Sequence, residues 1–455
     1  MNVHAFETWR AMRARLHAGL KRGRLGVIDV GSAKITCLVL AVDPSRLGLA
    51  TRGPLDAGAD RLASMLQGAV EVVGSASVQS HGIRRGEIVD MEEASRAMRL
   101  ALITAEGRAR PRVERGDQVV VGFSGGRPES FSTVGEVEIE TGTVTDDDIA
   151  RALAEAPDPP IGQGRAVLHA QPVELALDFR AGLTDPRGMT GRRLSVAIHV
   201  VAVDARPLAD LIACLRRCDV EVAGVASASY AAGLAALVED ARRLGAVAID
   251  LGAGSTGLSV FLRDHLVCVD GVRFGAERVT ADIAAGLAVS ETTAERLKCR
   301  HGGVIATGAD DREAVDAPRL GEEEAPERRM ISRGMLIGVI RPRVEETLRA
   351  VKARLEAHGV DRMPGCSLVL TGAGSSLTGM DELATRVFGR RPRMGRPPRI
   401  AGLDARLAGP ESAAAVGLAA YALSPHDELW DFEAPRRVSA VGRATEIVRW
   451  IRTSW

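Results

Sequence analysis

Apolar and β-branched residues form two similar patterns along the chain, and each pattern predicts a strand, a tight turn and a second strand. The first reads LGVIDV, GSAK and ITCLVLAV from Leu25, and the second reads AVAIDL, GAGST and GLSVFL from Ala246. Runs of this kind are typical of buried strands. Two hairpins of one design indicate a duplicated fold.

The rest of the chain alternates between helical and strand patterns. Helical patterns cover residues 92–106, 146–156, 207–218, 276–300 and 331–358, and strand patterns cover 119–123, 134–139, 194–203 and the beginning of 367–379. Residues 301–329 are polar, and residues 424–440 contain Pro, Asp and Arg with little periodicity, as expected of a linker. Such alternation predicts an α/β protein.

Composition narrows the class of protein. At 455 residues with 46% hydrophobic content, the chain exceeds one compact core and should form several domains. Lys plus Arg equals Asp plus Glu at 59 each, so no overall field attracts nucleic acid, and we expect no such partner. Six scattered cysteines without a CxxC pair indicate free thiols in a reducing compartment.

Membrane-spanning and secretory segments are not predicted. No apolar run reaches the roughly 18 residues that a spanning helix requires, and the basic first 24 residues contain no apolar signal-peptide region. We expect residues 1–24 to form a flexible or weakly helical arm.

The two predicted turns carry the residues that bind a magnesium-bound polyphosphate. The first turn, residues 29–34, offers Asp29, Gly31, Ser32 and Lys34, and the second turn, residues 250–256, offers Asp250, Gly252, Gly254, Ser255 and Thr256. One such hairpin is common. Two carboxylates from opposed lobes could hold hydrated Mg²⁺, while backbone N–H groups cradle the phosphates of ATP.

A third glycine segment follows the strand SLVL. Gly372, Ala373 and Gly374 would let a base or ribose lie against the backbone. Glu295 and Lys298 lie one helical turn apart and could form either a surface ion pair or a nucleotide contact. Neither a GxxxxGK[ST] loop nor a GxGxxG fingerprint is present, which disfavours P-loop and Rossmann folds.

This order of hairpin, hairpin and glycine turn resembles the actin, Hsp70 and sugar-kinase superfamily. Within it, VGSASVQSHGIRRGEIVD at 73–90, HAQPVELALDFRAGLTDPRGMTGR from His169, AERLKCRHG at 294–302 and the amphipathic terminus resemble the FtsA family of bacterial cell-division proteins. The resemblance covers about residues 25–455. It implies duplicated ribonuclease-H-like domains with an ATP cleft between them and an insertion called 1C.

The resemblance also implies a division of the chain into subdomains. The expected bounds are 25–104 and 192–222 for 1A, 105–191 for 1C, 223–275 and 342–423 mainly for 2A, 276–341 for 2B, 424–440 for a linker and 441–455 for a terminal helix. In the family, 1C contacts neighbouring protomers in filaments and late division proteins. Subdomain 2B binds the C-terminal tail of FtsZ, and Arg343, with Arg328 and Arg329 nearby, resembles the basic contact. A solvated basic helix face is the alternative.

The terminal segment RATEIVRWIRTSW is amphipathic. On a helix, Ile447, Val448, Trp450, Ile451 and Trp455 share an arc flanked by Arg449 and Arg452. Tryptophan and arginine suit an anionic bilayer interface, although such a helix could also dock on the protein body. With the linker and the resemblance, we expect peripheral attachment to the cytoplasmic face of the inner membrane at the division site.

One departure from the family concerns hydrolysis. Relatives often carry Glu-Pro-Leu-Ala near the crossover, whereas this chain has Val225-Ala226-Ser227-Ala228-Ser229-Tyr230. Without a carboxylate there to orient water, we expect ATP binding with at most slow turnover and assign no catalytic residue. The alternatives are a pilus-assembly adaptor of similar fold and a sugar or metabolite kinase, for which we find no catalytic aspartate.

Overall fold

The computed structural model describes residues 3–47, 61–109, 118–183, 185–322, 329–363, 365–423 and 428. Its strands are β1 (Arg24–Val30), β2 (Lys34–Val42), β3 (Val70–Gln79), β4 (Ile83–Arg84), β5 (Glu87–Ile88), β6 (Gln118–Phe123), β7 (Glu129–Glu138), β8 (Arg165–Leu177), β9 (Arg180–Leu183), β10 (Arg193–Asp204), β11 (Glu221–Ser227), β12 (Ala246–Leu251), β13 (Thr256–Leu262), β14 (His265–Val272), β15 (Ala314–Asp316), β16 (Met330–Ser332), β17 (Ser367–Thr371) and β18 (Arg393–Met394).

The helices lie between and around these strands. They are α1 (Val3–Arg22), α2 (Arg61–Ala69), α3 (Met91–Arg108), α4 (Asp146–Ala154), α5 (Ala205–Arg216), α6 (Ala228–Ala236), α7 (Glu239–Leu244), α8 (Ala276–Leu287), α9 (Glu291–His301), α10 (Arg333–Ala357), α11 (Met380–Phe388) and α12 (Ala413–Leu423). Among the described helices, none combines the length and the apolarity needed to cross a bilayer.

Two five-stranded sheets have the same topology. The first lobe is built on the order β11-β6-β1-β2-β3 and the second lobe on β18-β17-β12-β13-β14. In the first sheet β1, β2 and β3 are antiparallel neighbours, and β6 and β11 are added parallel to β1 on its other side. In the second sheet β12, β13 and β14 are antiparallel neighbours, and β17 and β18 are added parallel to β12 on its other side. The predicted duplication and the α/β class are confirmed, and the two predicted turns lie at equivalent ends of β1 and β12.

The insertion in the first lobe has other bounds than we predicted. The predicted range 105–191 includes β6, but β6 belongs to the sheet of the first lobe. The same range leaves out β10, but β10 pairs with β7 and β8 in the separate sheet β7-β10-β8-β9 of the insertion. The strand β6 is buried throughout because it packs between β11 and β1 in the first sheet. The insertion therefore lies between β6 and α5.

The N-terminal segment is a packed helix and not the flexible or weakly helical arm that we expected. Trp9, Met12, Leu16 and Leu20 of α1 are buried, at intervals of three or four residues that place them on one face. The Arg15 guanidinium also donates to the carbonyl of Val222 in β11 over 3.2 Å. The polar average of the segment obscured this apolar stripe.

The lobes are joined by the contact between α6 and α12. Every residue of α12 is buried, and a Cβ placed on its Gly417 would lie 1.7 Å from the carbonyl oxygen of Ala231 in α6. The helices therefore approach so closely that only glycine fits at this position. All six cysteines are free thiols, as predicted, and all but Cys299 are buried.

The space around two helical glycines, one in this contact and one outside it, predicts opposite effects of substitution by alanine. Gly417→Ala should destabilise the protein by about 1–3 kcal/mol or more, because the methyl group would overlap the α6 backbone. Gly338→Ala in α10 should stabilise it by about 0.4–1 kcal/mol, because nothing lies within 4 Å of the added carbon. Thermal unfolding of both variants checks this, and equal shifts of one sign would contradict the packing described.

Candidate functional site between the two lobes

The two turns have the same backbone construction. In the first turn, a Cβ on Gly31 would lie 2.9 Å from the carbonyl oxygen of Lys34, and in the second turn, a Cβ on Gly252 would lie 2.8 Å from that of Ser255. Neither turn has room for a side chain at its first glycine. The equivalence extends the duplication from the sheets to the turns.

Each turn begins with an aspartate whose carboxylate lies against a glycine. That glycine is in the adjacent parallel strand in the first lobe, and directly after the adjacent parallel strand in the second lobe. A Cβ on Gly122 of β6 would lie 3.0 Å from Asp29 Oδ1, and one on Gly372, after β17, would lie 2.3 Å from Asp250 Oδ1. The φ of Gly372 is +79°, which also favours glycine. We predicted Gly372 as a platform for a base or ribose, and the structure adds that it leaves room for the Asp250 carboxylate.

A cavity of about 900 Å³ lies between the lobes. The predicted residues that line it are Asp29, Gly31, Ser32, Lys34, Asp250, Gly252, Gly254, Ser255, Thr256, Gly372 and Ala373. Gly374 lies beside it, where an added Cβ would be 2.9 Å from the carbonyl oxygen of Leu251. The Thr256 hydroxyl donates to the carbonyl of Phe274 over 3.1 Å, so it stabilises the sheet.

The charges at the cavity floor perturb one another. Burial raises the pKa of Asp29 to about 6, an effect that Lys34 opposes. Burial and then the Asp29 charge raise the pKa of Asp250 to about 7. Burial lowers the pKa of Lys34, which Glu411, Asp29 and Asp250 oppose. Two carboxylates thus share a site that favours an added proton or cation.

The β4–β5 hairpin inserts between the two turns. The Ser32 hydroxyl accepts from the Gly86 N–H over 3.0 Å. A Cβ on Gly254 would lie 2.3 Å from Ser32 Oγ and 2.8 Å from Arg85 Cα. The turns of the two lobes and this hairpin therefore converge at one point, and Gly254 makes their approach possible.

An ion pair between the lobes was missed by sequence reasoning. Glu87 of the first lobe accepts two hydrogen bonds from the guanidinium of Arg273 in the second lobe, at 2.8 and 2.9 Å. Arg85, Glu87, Arg273 and Glu411 all line the cavity. The first two lie in the segment 73–90, but nothing in the sequence identifies Arg273 as the partner of Glu87.

Glu295 and Lys298 form a local network on α9. The Lys298 ammonium contacts Glu295 Oε2 at 2.6 Å and Thr280 Oγ1 at 2.8 Å. Neither residue belongs to the walls of the cavity as the described residues define them. The structure thus shows the ion pair that we considered, and the contact with a nucleotide stays a prediction.

The crossover segment 225–230, which ends in the first turn of α6, contributes hydroxyl groups to the cavity. Ser227 and Ser229 line it, and their Oγ atoms are 3.0 Å apart. The carboxylates of the described wall come from other elements, and they are Asp29, Glu87, Glu129, Asp204, Asp250, Asp270 and Glu411. The segment 225–230 contains no acidic residue. Slow turnover of ATP therefore stays a prediction that rests on the sequence.

The predicted partner residues Arg343 and Arg329 are not among the described residues that line the cavity. Arg343 of α10 donates to both carboxylate oxygens of Asp282, at 2.6 and 3.1 Å, and to Glu346 at 2.5 Å. The Arg329 guanidinium donates to the carbonyl of Leu287 over 2.6 Å. Arg328 and the terminal residues Ile447, Val448, Arg449, Trp450, Ile451, Arg452 and Trp455 lie outside the described residues.

The fold and the site define an actin-like protein: duplicated domains each present a carboxylate-bearing turn to one cleft, and a small domain is inserted in the first lobe. Among solved structures, the PilM-PilN type IV pilus biogenesis complex matches with a TM-score of 0.56 and 17% identity, covering 88% of this chain and 98% of that chain. At that identity the likeness concerns the fold alone.

Comparison of sequences gives the particular family. The model "SHS2 domain inserted in FTSA" matches residues 125–202, and the model "Cell division protein FtsA" matches residues 247–417. The cell division protein FtsA of Agrobacterium fabrum (strain C58) is 34% identical over 87% of this chain and 86% of its own. That of Escherichia coli (strain K12) is 27% identical over 94% of this chain and 96% of its own. The chain belongs to the FtsA family, which confirms the resemblance.

The raised carboxylate pKa values predict how stability depends on pH without nucleotide. Between about pH 4 and pH 7 the folded state holds protons on Asp29 and Asp250 that the unfolded chain has released, so their contribution is lost as pH rises through 6 and 7. Asp29→Asn should therefore stabilise the protein by about 1–3 kcal/mol at pH 8 and by nothing near pH 4. Water in the cavity reaches both carboxylates and screens their charges, which keeps the effect within this range.

Melting temperatures between pH 4 and pH 8 provide the measurement. Asp240→Asn, at an exposed aspartate of α7, is the matched control and should give a curve parallel to that of the unmodified protein. If the melting temperature of Asp29→Asn also ran parallel to that of the unmodified protein across this pH range, the raised pKa of Asp29 would be contradicted.

Proposed function

We propose that the chain binds ATP in the cavity between its lobes, as a cell-division protein of the actin-like class. The observation that carries the proposal is the convergence of Asp29, Lys34 and Asp250 on one cavity of about 900 Å³ between duplicated lobes. Glycine-containing turns present backbone N–H groups that suit phosphate oxygens, and the Lys34 ammonium adds a positive charge. Membership of the FtsA family supports this assignment.

Magnesium is the metal ion that suits the site. It dehydrates reluctantly and usually keeps several waters, so Asp29 and Asp250 would hold it through those waters. A divalent cation would offset the burial and the Asp29 charge that raise the pKa of Asp250, and it would neutralise phosphate charge at the same point. The residues present therefore fit this cofactor.

Hydrolysis is proposed to be slow. Catalysis of phosphoryl transfer to water requires a residue that positions the water as well as groups that bind the phosphates. The segment 225–230 supplies Ser227 and Ser229 and no carboxylate. Turnover should stay well below about 1 per second, and phosphate release at tens per second would contradict the proposal.

Further roles are proposed from the family and from the unusual terminus. The protein would polymerise on the inner membrane at the division site, bind the C-terminal tail of FtsZ through subdomain 2B, and meet late division proteins through 1C. The segment 441–455 would lie at the anionic lipid surface. Burial of an apolar side chain is worth about 1.5–3 kcal/mol before ordering costs, so one tail should bind reversibly and an array of tails strongly.

The magnesium assignment predicts a specific change on Asp250→Asn. The variant should lose at least about tenfold in affinity for ATP with Mg²⁺, because a water-mediated ligand is removed. Affinity for ATP without Mg²⁺ should be equal or higher, because a negative charge beside the phosphates is gone. Titration of both states tests this, with Asp240→Asn as the exposed control. An unchanged magnesium dependence would remove Asp250 from the proposed site.

The partner assignments predict the outcome of a lipid-recruitment assay. Full-length protein with ATP should bring FtsZ filaments to anionic vesicles, and deletion of residues 441–455 should abolish vesicle binding. Arg343→Glu should weaken FtsZ-tail binding by at least about tenfold, since a charge pair is reversed. Arg349→Glu on the same helix, where the native guanidinium contacts Glu345, is the control. Unchanged co-sedimentation without the tail would exclude the membrane role, and unchanged tail affinity would exclude Arg343.

A further inference from the structure

A glutamate beyond the last helix is buried in the protein body. Glu428 is 1% exposed, although residues 424–440 were predicted to be a linker. Its Oε1 lies 2.6 Å from His169 Nδ1 and 3.1 Å from Gln171 Nε2, and its Oε2 accepts from the Ala170 N–H over 2.9 Å. All three donors belong to β8 of the insertion. A buried carboxylate is tolerated only with such partners in place.

His169 connects this carboxylate to the crossover segment. Its Nε2 accepts from the backbone N–H of Ser227 over 3.0 Å. Because Nε2 accepts, the ring proton lies on Nδ1 and is donated to Glu428. The ring is fully buried and has edge contacts with Tyr230 and Tyr421, at centroid distances of 5.1 and 5.8 Å. The histidine therefore has one orientation that satisfies both neighbours.

The crossover segment in turn forms part of the cavity wall. Ser227 and Ser229 line the cavity, and the carbonyl of Ser229 accepts from the hydroxyl of Ser259 in the second lobe over 2.9 Å. A Cβ on Gly257, next to the second turn, would lie 2.7 Å from the Ser229 Cβ. A displacement of Ser227 would thus reach the second turn through direct contacts.

We propose that Glu428 is a positioning residue for the cavity: through His169 it fixes the segment from Ser227 to Ser229, and it thereby couples occupancy of the cavity to docking of its own side chain. The coupling to ATP rests on the proposed function. Withdrawal of Glu428 leaves the N–H groups of His169 and Ala170 without their acceptor, which destabilises the arrangement that holds Ser227.

The coupling acts in both directions. If a docked Glu428 raises affinity for a ligand in the cavity, the ligand must favour docking of Glu428 by the same factor.

Two readouts on full-length protein test the coupling. Glu428→Ala should accelerate amide exchange at Ser227 without nucleotide and weaken ATP binding by about fivefold or more. Glu428→Gln should give a smaller effect, because its amide oxygen can still accept from His169 while its amide NH₂ faces the Ala170 N–H. Glu155→Ala, at an exposed glutamate of the same insertion, is the control for both. Conversely, ATP should slow exchange in the peptide that contains Glu428.

A double-mutant cycle identifies the route. In a His169→Phe background, Glu428→Ala should cause little additional loss of ATP affinity, because the connection to Ser227 is already broken. Additive losses, or unchanged Ser227 exchange and ATP affinity in folded Glu428→Ala protein, would overturn the proposal. If the unmodified protein bound no ATP, the proposed function would fail, and Ser227 exchange would alone decide whether Glu428 positions the cavity wall.

Discussion

Two aspartates from separate lobes line one cavity, and the cost of burying both carboxylates there is the constraint on which the rest of the site depends. Burial and then the charge of Asp29 raise the pKa of Asp250 to about 7, close to physiological pH. Without a counter-ion, the charges of the two buried carboxylates therefore destabilise this arrangement. We propose that a cation with phosphate oxygens offsets this cost, and that the pair thereby links ligand binding to the contact between the lobes.

The surroundings of the pair maintain that arrangement. Gly122 and Gly372 leave space for the two carboxylates, and Gly254 allows the second turn to approach Ser32. The ion pair of Glu87 with Arg273 spans the same gap from the side. These contacts between the lobes add to the close approach of α6 and α12.

The parts of this account that sequence could predict are the periodic and the duplicated ones. The hairpins at Asp29 and Asp250 were found because buried strands and their turn residues form a local pattern that occurs twice. The packing of α1 against the protein body was missed because its apolar stripe is sparse among arginines. Glu87 with Arg273 and Glu428 with His169 were missed because their partners are brought together only by tertiary packing, which leaves no signal in spacing. The boundary of the insertion was misplaced because the residues of β6 and β10 do not indicate which of the two sheets each strand joins.

The most direct measurement of the central claim is amide hydrogen exchange in the two turns, at residues 29–34 and 250–256, with and without Mg²⁺ and ATP. If one ligand is held between both lobes, exchange in the two turns should slow together at the same ATP concentration, and omission of Mg²⁺ should reduce both effects. Protection of one turn alone, or of neither while ATP is bound, would contradict the account.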